Sequence, residues 1–138
     1  MVFYTTRKSE SLITLTGQVI RGNQIGREIG FPTANLSLNS QEINLSNGVY
    51  AVKVNYNGKS FTGIMNVGMR PTINEDKSRV HYEVHIFDFN KVIYNEILQV
   101  EVCFFIREEI AFANLNHLIL QIKKDVEFAK RRLQTERK

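Results

Sequence analysis

An antiparallel β-sandwich or β-barrel finished by one C-terminal helix is the fold class this sequence predicts. Three observations carry it. Apolar and polar residues alternate in several separated stretches, turn residues stand between them, and the last apolar run changes to a period near 3.6. The chain has 138 residues, 43% of them hydrophobic and 23% charged. Soluble domains hold roughly 100–200 residues, so one domain is expected. A chain of this size buries about two-thirds of its unfolded surface, enough for a core without disulfide staples.

The elements follow in order. Residues 1–12 are polar and charged and read as an N-terminal tail or a linker remnant, leaving 13–138 as the domain. ITLTGQVI (13–20) is rich in β-branched side chains. VYAVKVNY (49–56) puts Tyr50, Val52, Val54 and Tyr56 on one face. Asn57-Gly58 is a hairpin signal, and SFTGIMNV (60–67) is the returning strand. VHYEVHIF (80–87) places Val80, Tyr82, Val84 and Ile86 on one face and His81, Glu83, His85 and Phe87 on the other. ILQVEVCFFI (97–106) sets Leu98, Val100, Val102, Phe104 and Ile106 in one register. Then Leu115, Leu118, Ile119, Ile122, Val126, Ala129 and Leu133 follow steps of three and four, one apolar stripe of a helix. Asn114 is its expected N-cap, and about five turns of helix would cover one face or mouth of the β-structure.

Charge and cysteine usage exclude several classes. The net charge of +4 comes wholly from residues 123–138, with seven basic and three acidic side chains, so residues 1–122 are balanced at eleven against eleven. Cations at a helix end are favoured by its dipole, which explains the excess without nucleic acid. Cys103 is the one cysteine, so no intrachain disulfide and no CxxC metal site can form. A reducing, cytoplasmic setting is the expectation. No apolar run approaches the roughly 20 residues of a membrane span, and MVFYTTRKSES lacks the apolar core of a secretory signal.

Residues 21–48 resist a strand reading. They hold four of the eight glycines and Pro32, and long loops inside compact domains are usually functional. RGNQIGREIGFPTAN is not a Walker A motif, because no GK[ST] follows a glycine. Gly22, Gly26 and Gly30 still let backbone N–H groups approach an anion, and Arg27 can add a charge-assisted bond to phosphate; turn formation explains each glycine as well. Thr33 and Asn35 lie two apart, so in extended chain their oxygens share a side. Hard oxygens suit Mg²⁺, which completes its shell with phosphates and water; a turn bonding its own backbone is the alternative. Glu83 can accept a proton from an alcohol, or it is a surface carboxylate on a wet face. His81, Glu83 and His85 do not make a zinc site without a third strong ligand nearby. Cys103 sits among apolar neighbours and reads as an inert thiol, and Arg107 reads as pairing with Glu108-Glu109.

Taken together, GQVIRGNQIGREIGFPTAN, NGVYAVKV, NVGMRPT, YEVHIFDF, IREEIAF and the closing helix resemble the riboflavin kinase (flavokinase) family, from about Thr16 to Leu133. The resemblance implies a six-stranded antiparallel Greek-key β-barrel with a C-terminal α-helix. It implies transfer of the γ-phosphate of Mg-ATP to the terminal ribityl hydroxyl of riboflavin, making FMN and ADP, with Mg²⁺ as the metal. By position, Gly22 and Arg27 fall where nucleotide phosphates are held, and Thr33 and Asn35 on the Mg²⁺ and phosphate positions. Glu83 falls on the general base. Ile86, Asp88, Tyr94, Arg107, Ile110 and Phe112 fall on the flavin side. Two positions depart from the family pattern: Ile110-Ala111 are apolar where lysines are common, and Asn95 replaces a turn glycine, a change that αL-tolerant Asn accommodates. The family's kinase commonly forms one half of a bifunctional FAD synthetase, so an FMN adenylyltransferase domain on the same parent chain is an expected partner, for which 138 residues leave no room. Two rival readings remain: a non-catalytic β-barrel binding flavin or RNA, and a docking domain that uses the C-terminal helix.

Overall fold

Period-2 alternation gives each strand one apolar face, and a sheet that curls onto that face removes its own unpaired edges. The chain takes this solution. The computed structural model describes residues 13–21, 30–38, 45–71 and 78–136. It contains β1 (Ile13–Ile20), β2 (Ala34–Leu38), β3 (Gly48–Tyr56), β4 (Lys59–Pro71), β5 (Ser78–Ile86), β6 (Ile97–Arg107) and α1 (Leu115–Glu136). The strands close in the order β1-β2-β5-β4-β3-β6, every pairing antiparallel. Three hairpin-linked strands, β3 to β5, with β6 returning beside β3 make the Greek key.

The five stretches read as strands are strands, and the hairpin is where Asn57-Gly58 put it: φ is 54° at Asn57 and 80° at Gly58, the two positive values of a type I′ turn. The sixth strand, β2, lies inside the segment that resisted a strand reading. It is only five residues long, with a single fully buried side chain, Leu36. Ala34, Leu36 and Leu38 alternate with Asn35 and Ser37, but over only five residues beside a turn-rich stretch, too short a run to stand out. Yet β2 closes the barrel between β1 and β5.

Tyr50, Val52 and Val54 meet Tyr82, Val84 and Ile86 in the barrel interior, with Leu98, Val100 and Val102 from β6. Each such side chain contributes about 1.5–3 kcal/mol by leaving water. The single register expected along β6 is corrected at its C-terminal half. Val52 pairs with Val102 but Ala51 with Phe104, so Cys103 is an extra residue; Tyr50 pairs with Phe105 but Val49 with Arg107, so Ile106 is another. Each extra residue shifts the alternation by one. Phe104 and Ile106 therefore leave the interior register and pack with Cys103 in a second cluster outside the barrel.

That second cluster lies under α1. Ala129 and Leu133 of the helix are buried together with Val49, Ala51, Ile64 and Phe87. Asn114 caps the helix as expected, its Oδ1 accepting from the His117 N–H at 3.0 Å. The helix runs 22 residues, about six turns rather than five. Leu115, the first residue of the stripe, stays 52% exposed, so the covering begins a turn later. Arg107 does not find its carboxylate in Glu108 or Glu109. Its Nε and Nη2 donate to Asp125 of α1 at 2.9–3.0 Å, and its Nη1 donates to the Glu108 carbonyl at 3.0 Å. Asp125 is only 3% exposed and also accepts from Gln121 Nε2, so its charge is fully met.

Candidate active site

One row of residues crosses the outside of the barrel. Arg107 pairs with Val49, Val49 with Asn66, Asn66 with Glu83, Glu83 with Asn35, and Asn35 with Ile20. Their strand neighbours, Tyr50, Met65, Val67, Tyr82, Val84 and Leu36, fill the interior, so the row itself faces outward. Directly paired residues hold their Cβ atoms about 4.5–5.5 Å apart. Glu83 thus stands between two amide side chains, Asn35 and Asn66, all three half-buried. Strands lie about 4.8 Å apart, which puts Arg107 roughly 14 Å from Glu83 along the row.

The neighbouring end of the barrel opens into a cavity of about 340 Å³. Its floor is apolar, from Val84, Ile86 and Ile93, and Thr33, Ala34 and Tyr94 stand at its wall. This brings Thr33, Ile86 and Tyr94 to one cavity. Arg21 lays its guanidinium over the Tyr94 ring, 4.8 Å from the centroid. The loop that shapes the cavity is tied to β1: Asn95 N–H donates to the Val19 carbonyl at 2.8 Å, and Val19 N–H to the Glu96 carbonyl at 2.9 Å. Asn95 takes φ 71°, the left-handed conformation its replacement of a glycine requires. Asp88 lies apart from this cavity. It lines a second groove of about 310 Å³ with Tyr56 and Phe61, and the two cavities share Phe89, Asn90 and Lys91 as lining.

The remaining expected flavin residues, Ile110 and Phe112, follow β6. Phe112 lies beneath the Arg107 guanidinium, 5.8 Å from carbon to centroid, and Ile110 is half exposed. Between Arg107 and Ile110, the Glu109 carboxylate lies against Gly68 of β4, where a Cβ would collide with it. Gly68 is two residues from Asn66 on the same strand face, about 6.6 Å along it. The segment after β6 is therefore tied at its start by Arg107 to α1, and its Glu109 carboxylate packs over Gly68 of β4. Gly22, Gly26 and Arg27 lie outside the described residues, as does the 1–12 tail.

His85, two residues along β5 from Glu83 and on the same face, is held from several sides. Its Nδ1 lies 2.8 Å from the Pro32 carbonyl. Phe31 and Phe87 meet its ring edge-on at 5.5 and 5.9 Å. Burial lowers its pKa from the ordinary value, helped by Lys130 and opposed by the Pro32 carbonyl and Asp88. Asn66 escapes the sequence reading, and His85 and Glu109 enter it only as a zinc candidate and as a partner for Arg107. Asn66 left one signal, a lone amide between buried Met65 and Val67.

Among the described residues no group of three or more His, Cys, Asp or Glu is placed to hold a metal ion. The hard donors near Glu83 are the Asn35 and Asn66 amide oxygens, with the Thr33 hydroxyl two residues before Asn35. Such oxygens suit a cation that draws most of its shell from phosphate and water.

A family model described as Flavokinase: Riboflavin kinase matches residues 10–133. The bifunctional riboflavin kinase/FMN adenylyltransferase of Haemophilus influenzae is 51% identical over 115 residues, covering 83% of this chain and 36% of that protein. The RNA-binding riboflavin kinase RibR of Bacillus subtilis is 38% identical over 120 residues, covering 87% of this chain and 51% of its own. Among solved structures, the riboflavin kinase from Trypanosoma brucei superposes with a TM-score of 0.62 at 25% identity, covering 89% of this chain and 80% of that one. A structure described as a macrolide-efflux protein from Streptococcus pneumoniae superposes at 0.78 with 35% identity, covering 85% of this chain and 38% of that one. No described helix here is long and apolar enough to cross a membrane. The chain spans just over a third of the length of the bifunctional relatives from Haemophilus influenzae and Buchnera aphidicola.

Proposed function

The chain belongs to the riboflavin kinase family, whose reaction makes FMN from riboflavin, and from that premise we propose that its barrel transfers the γ-phosphoryl group of Mg-ATP to the terminal ribityl hydroxyl. The observation that carries the reading is the cross-strand pairing of Glu83 with Asn35, beside the cavity that Thr33 lines. Phosphoryl transfer asks for an oriented hydroxyl, a proton acceptor and neutralised phosphate charge, with little covalent work by the protein. Glu83 is the proton acceptor. As the ribityl oxygen bonds to the γ-phosphorus and the bond to the β-phosphate oxygen breaks, the hydroxyl proton passes to the Glu83 carboxylate and ADP leaves.

Thr33 and Asn35 are the residues we assign to Mg²⁺ and phosphate, and Gly22 and Arg27 to the nucleotide phosphates. The metal would supply charge neutralisation across the phosphates. Ile86 and Tyr94 offer apolar and aromatic surface for an isoalloxazine ring. Phe112 and Ile110 of the post-β6 segment are further residues we assign to the flavin, with Asp88 and Arg107 as polar markers. Because Arg107 is bound to Asp125, it serves the flavin side chiefly by fixing Phe112.

Riboflavin and ATP are the substrates we assign, in the cytoplasm. An FMN adenylyltransferase domain on the same parent chain is the partner that the bifunctional relatives suggest. The RNA-binding barrel is the second reading, suggested by the name of the Bacillus relative. Against it, Lys130 and Arg132 of the basic segment lie over Phe87, Phe104 and Phe128 and so help pack the helix.

Glu83→Gln tests the reading at its centre. Loss of a general base costs about 10²–10⁴-fold in turnover. We expect that loss with Mg-ATP affinity changed less than about twofold, and near-normal turnover would remove Glu83 as the base.

A further inference from the structure

We infer that His85 is a positioning residue, a clasp that sets the Thr33–Asn35 segment against β5 by holding the Pro32 carbonyl. The inference deepens the proposed reading and rests on it where it gives Thr33 and Asn35 to Mg-ATP.

The ladder between β2 and β5 ends at Ala34, paired with Val84. Continued by one step, His85 would face Thr33, but Thr33 has already left the strand. The chain that enters it is built to resist ordinary pairing. Gly30 turns at φ 95°, and Pro32 has no N–H to donate. The Pro32 carbonyl is therefore the one backbone handle that residue has, and the His85 Nδ1 lies 2.8 Å from it. A carbonyl oxygen only accepts, so Nδ1 carries the proton. Burial, which favours the neutral ring, leaves the Nδ1–H tautomer as the form that makes this bond.

The bond acts on Thr33 through the peptide plane. Pro32 C=O and Thr33 N–H belong to one rigid unit and point in opposite directions, so fixing the carbonyl fixes the start of Thr33. The ring is itself held from two sides. Phe31 packs against its edge at 5.5 Å, and Phe87 at 5.9 Å. Lys130 of α1 then lies over Phe87, 5.1 Å from its centroid. A chain of contacts thus runs from α1 through Phe87 and His85 to Pro32, and ends beside the residues assigned to the nucleotide.

The test compares His85→Asn with His85→Ala. Asn presents an N–H donor near the Nδ1 position, whereas Ala presents none. Mg-ADP binding is measured by calorimetry without riboflavin, alongside the KM for each substrate and the thermal midpoint. The clasp predicts that His85→Ala weakens Mg-ADP binding and raises the KM for ATP about tenfold. His85→Asn should stay within about threefold of the wild type, and the KM for riboflavin should move little in both. Equal loss in both variants, or parallel loss of ATP and riboflavin affinity with the thermal midpoint, would mean a merely structural histidine and overturn the inference. Unchanged Mg-ADP affinity in His85→Ala would overturn it too. Thr33→Ala and Asn35→Ala serve as the reference. If they weaken Mg-ADP binding and His85→Ala does not, the clasp alone fails; if they leave it unchanged, the underlying nucleotide assignment fails first.

Discussion

Asn35 and Thr33 ask different things of the backbone. Asn35 is held in a strand paired on both sides, with Ile20 and with Glu83, so its amide is preorganised. Thr33 lies just beyond the ladder, at the cavity wall. Replacing either with Ala should weaken Mg-ATP binding and turnover together, by about tenfold for a lost bond to a charged group. The magnesium concentration giving half-maximal rate should rise. Titrating magnesium at fixed ATP reads this directly, and an unshifted curve would remove both residues as metal ligands. Glu83, Thr33 and Asn35 could be picked out in the sequence because each is polar in a setting where local rules already favoured extended chain. The roles of Asn66, His85 and Glu109 could not. What makes them matter is a partner 17, 53 or 41 positions away, respectively Glu83, Pro32 and Gly68, and cross-strand register is not written in the alternation of one strand.

At the scale of elements, the pattern located five strands and the helix but not the two irregularities of β6. Alternation along FFIR looks unbroken, since Phe104, Phe105 and Ile106 are all apolar and either face would accept them. The bulges decide the facing of Phe104 and Phe105, and because the two shifts cancel, Arg107 still faces outward, onto Asp125 of α1. That pair is the main polar tie of the helix to the barrel. Asp125→Ala would leave the Arg107 guanidinium, 17% exposed, without its carboxylate, and breaking a buried pair in this way costs about 3–5 kcal/mol. Urea unfolding should show the loss, and a change below about 1 kcal/mol would mean the helix is held by its apolar face alone. The β4–β5 contact offers a second test. A Cβ at Gly63 would collide with the His85 carbonyl, which is backbone and cannot rotate away. Gly63→Ala should destabilise the protein by about 1–3 kcal/mol, measured by the same unfolding, and a neutral result would contradict the close approach of the two strands.

For the whole molecule, closure is what turns scattered residues into a site. Thr33–Asn35 and Glu83 are far apart in the chain, and they meet only because the short β2 slots between β1 and β5. The ordered motifs pointed to a barrel through resemblance, whereas strand patterns alone left sandwich and barrel open. The difference is physical: β2 alternates over only five residues beside a turn-rich loop, and it is the strand that completes the ring. The balanced charge of residues 1–122 fits a wall that binds a small charged nucleotide through a few placed groups rather than through a broad basic field. The most direct measurement is to incubate the purified chain with riboflavin and Mg-ATP and separate riboflavin, FMN and FAD by chromatography. FMN formed without FAD, and lost when magnesium is chelated, is the predicted result. No FMN from a chain whose thermal unfolding shows an intact fold would contradict the kinase reading and leave a flavin- or RNA-binding barrel in its place.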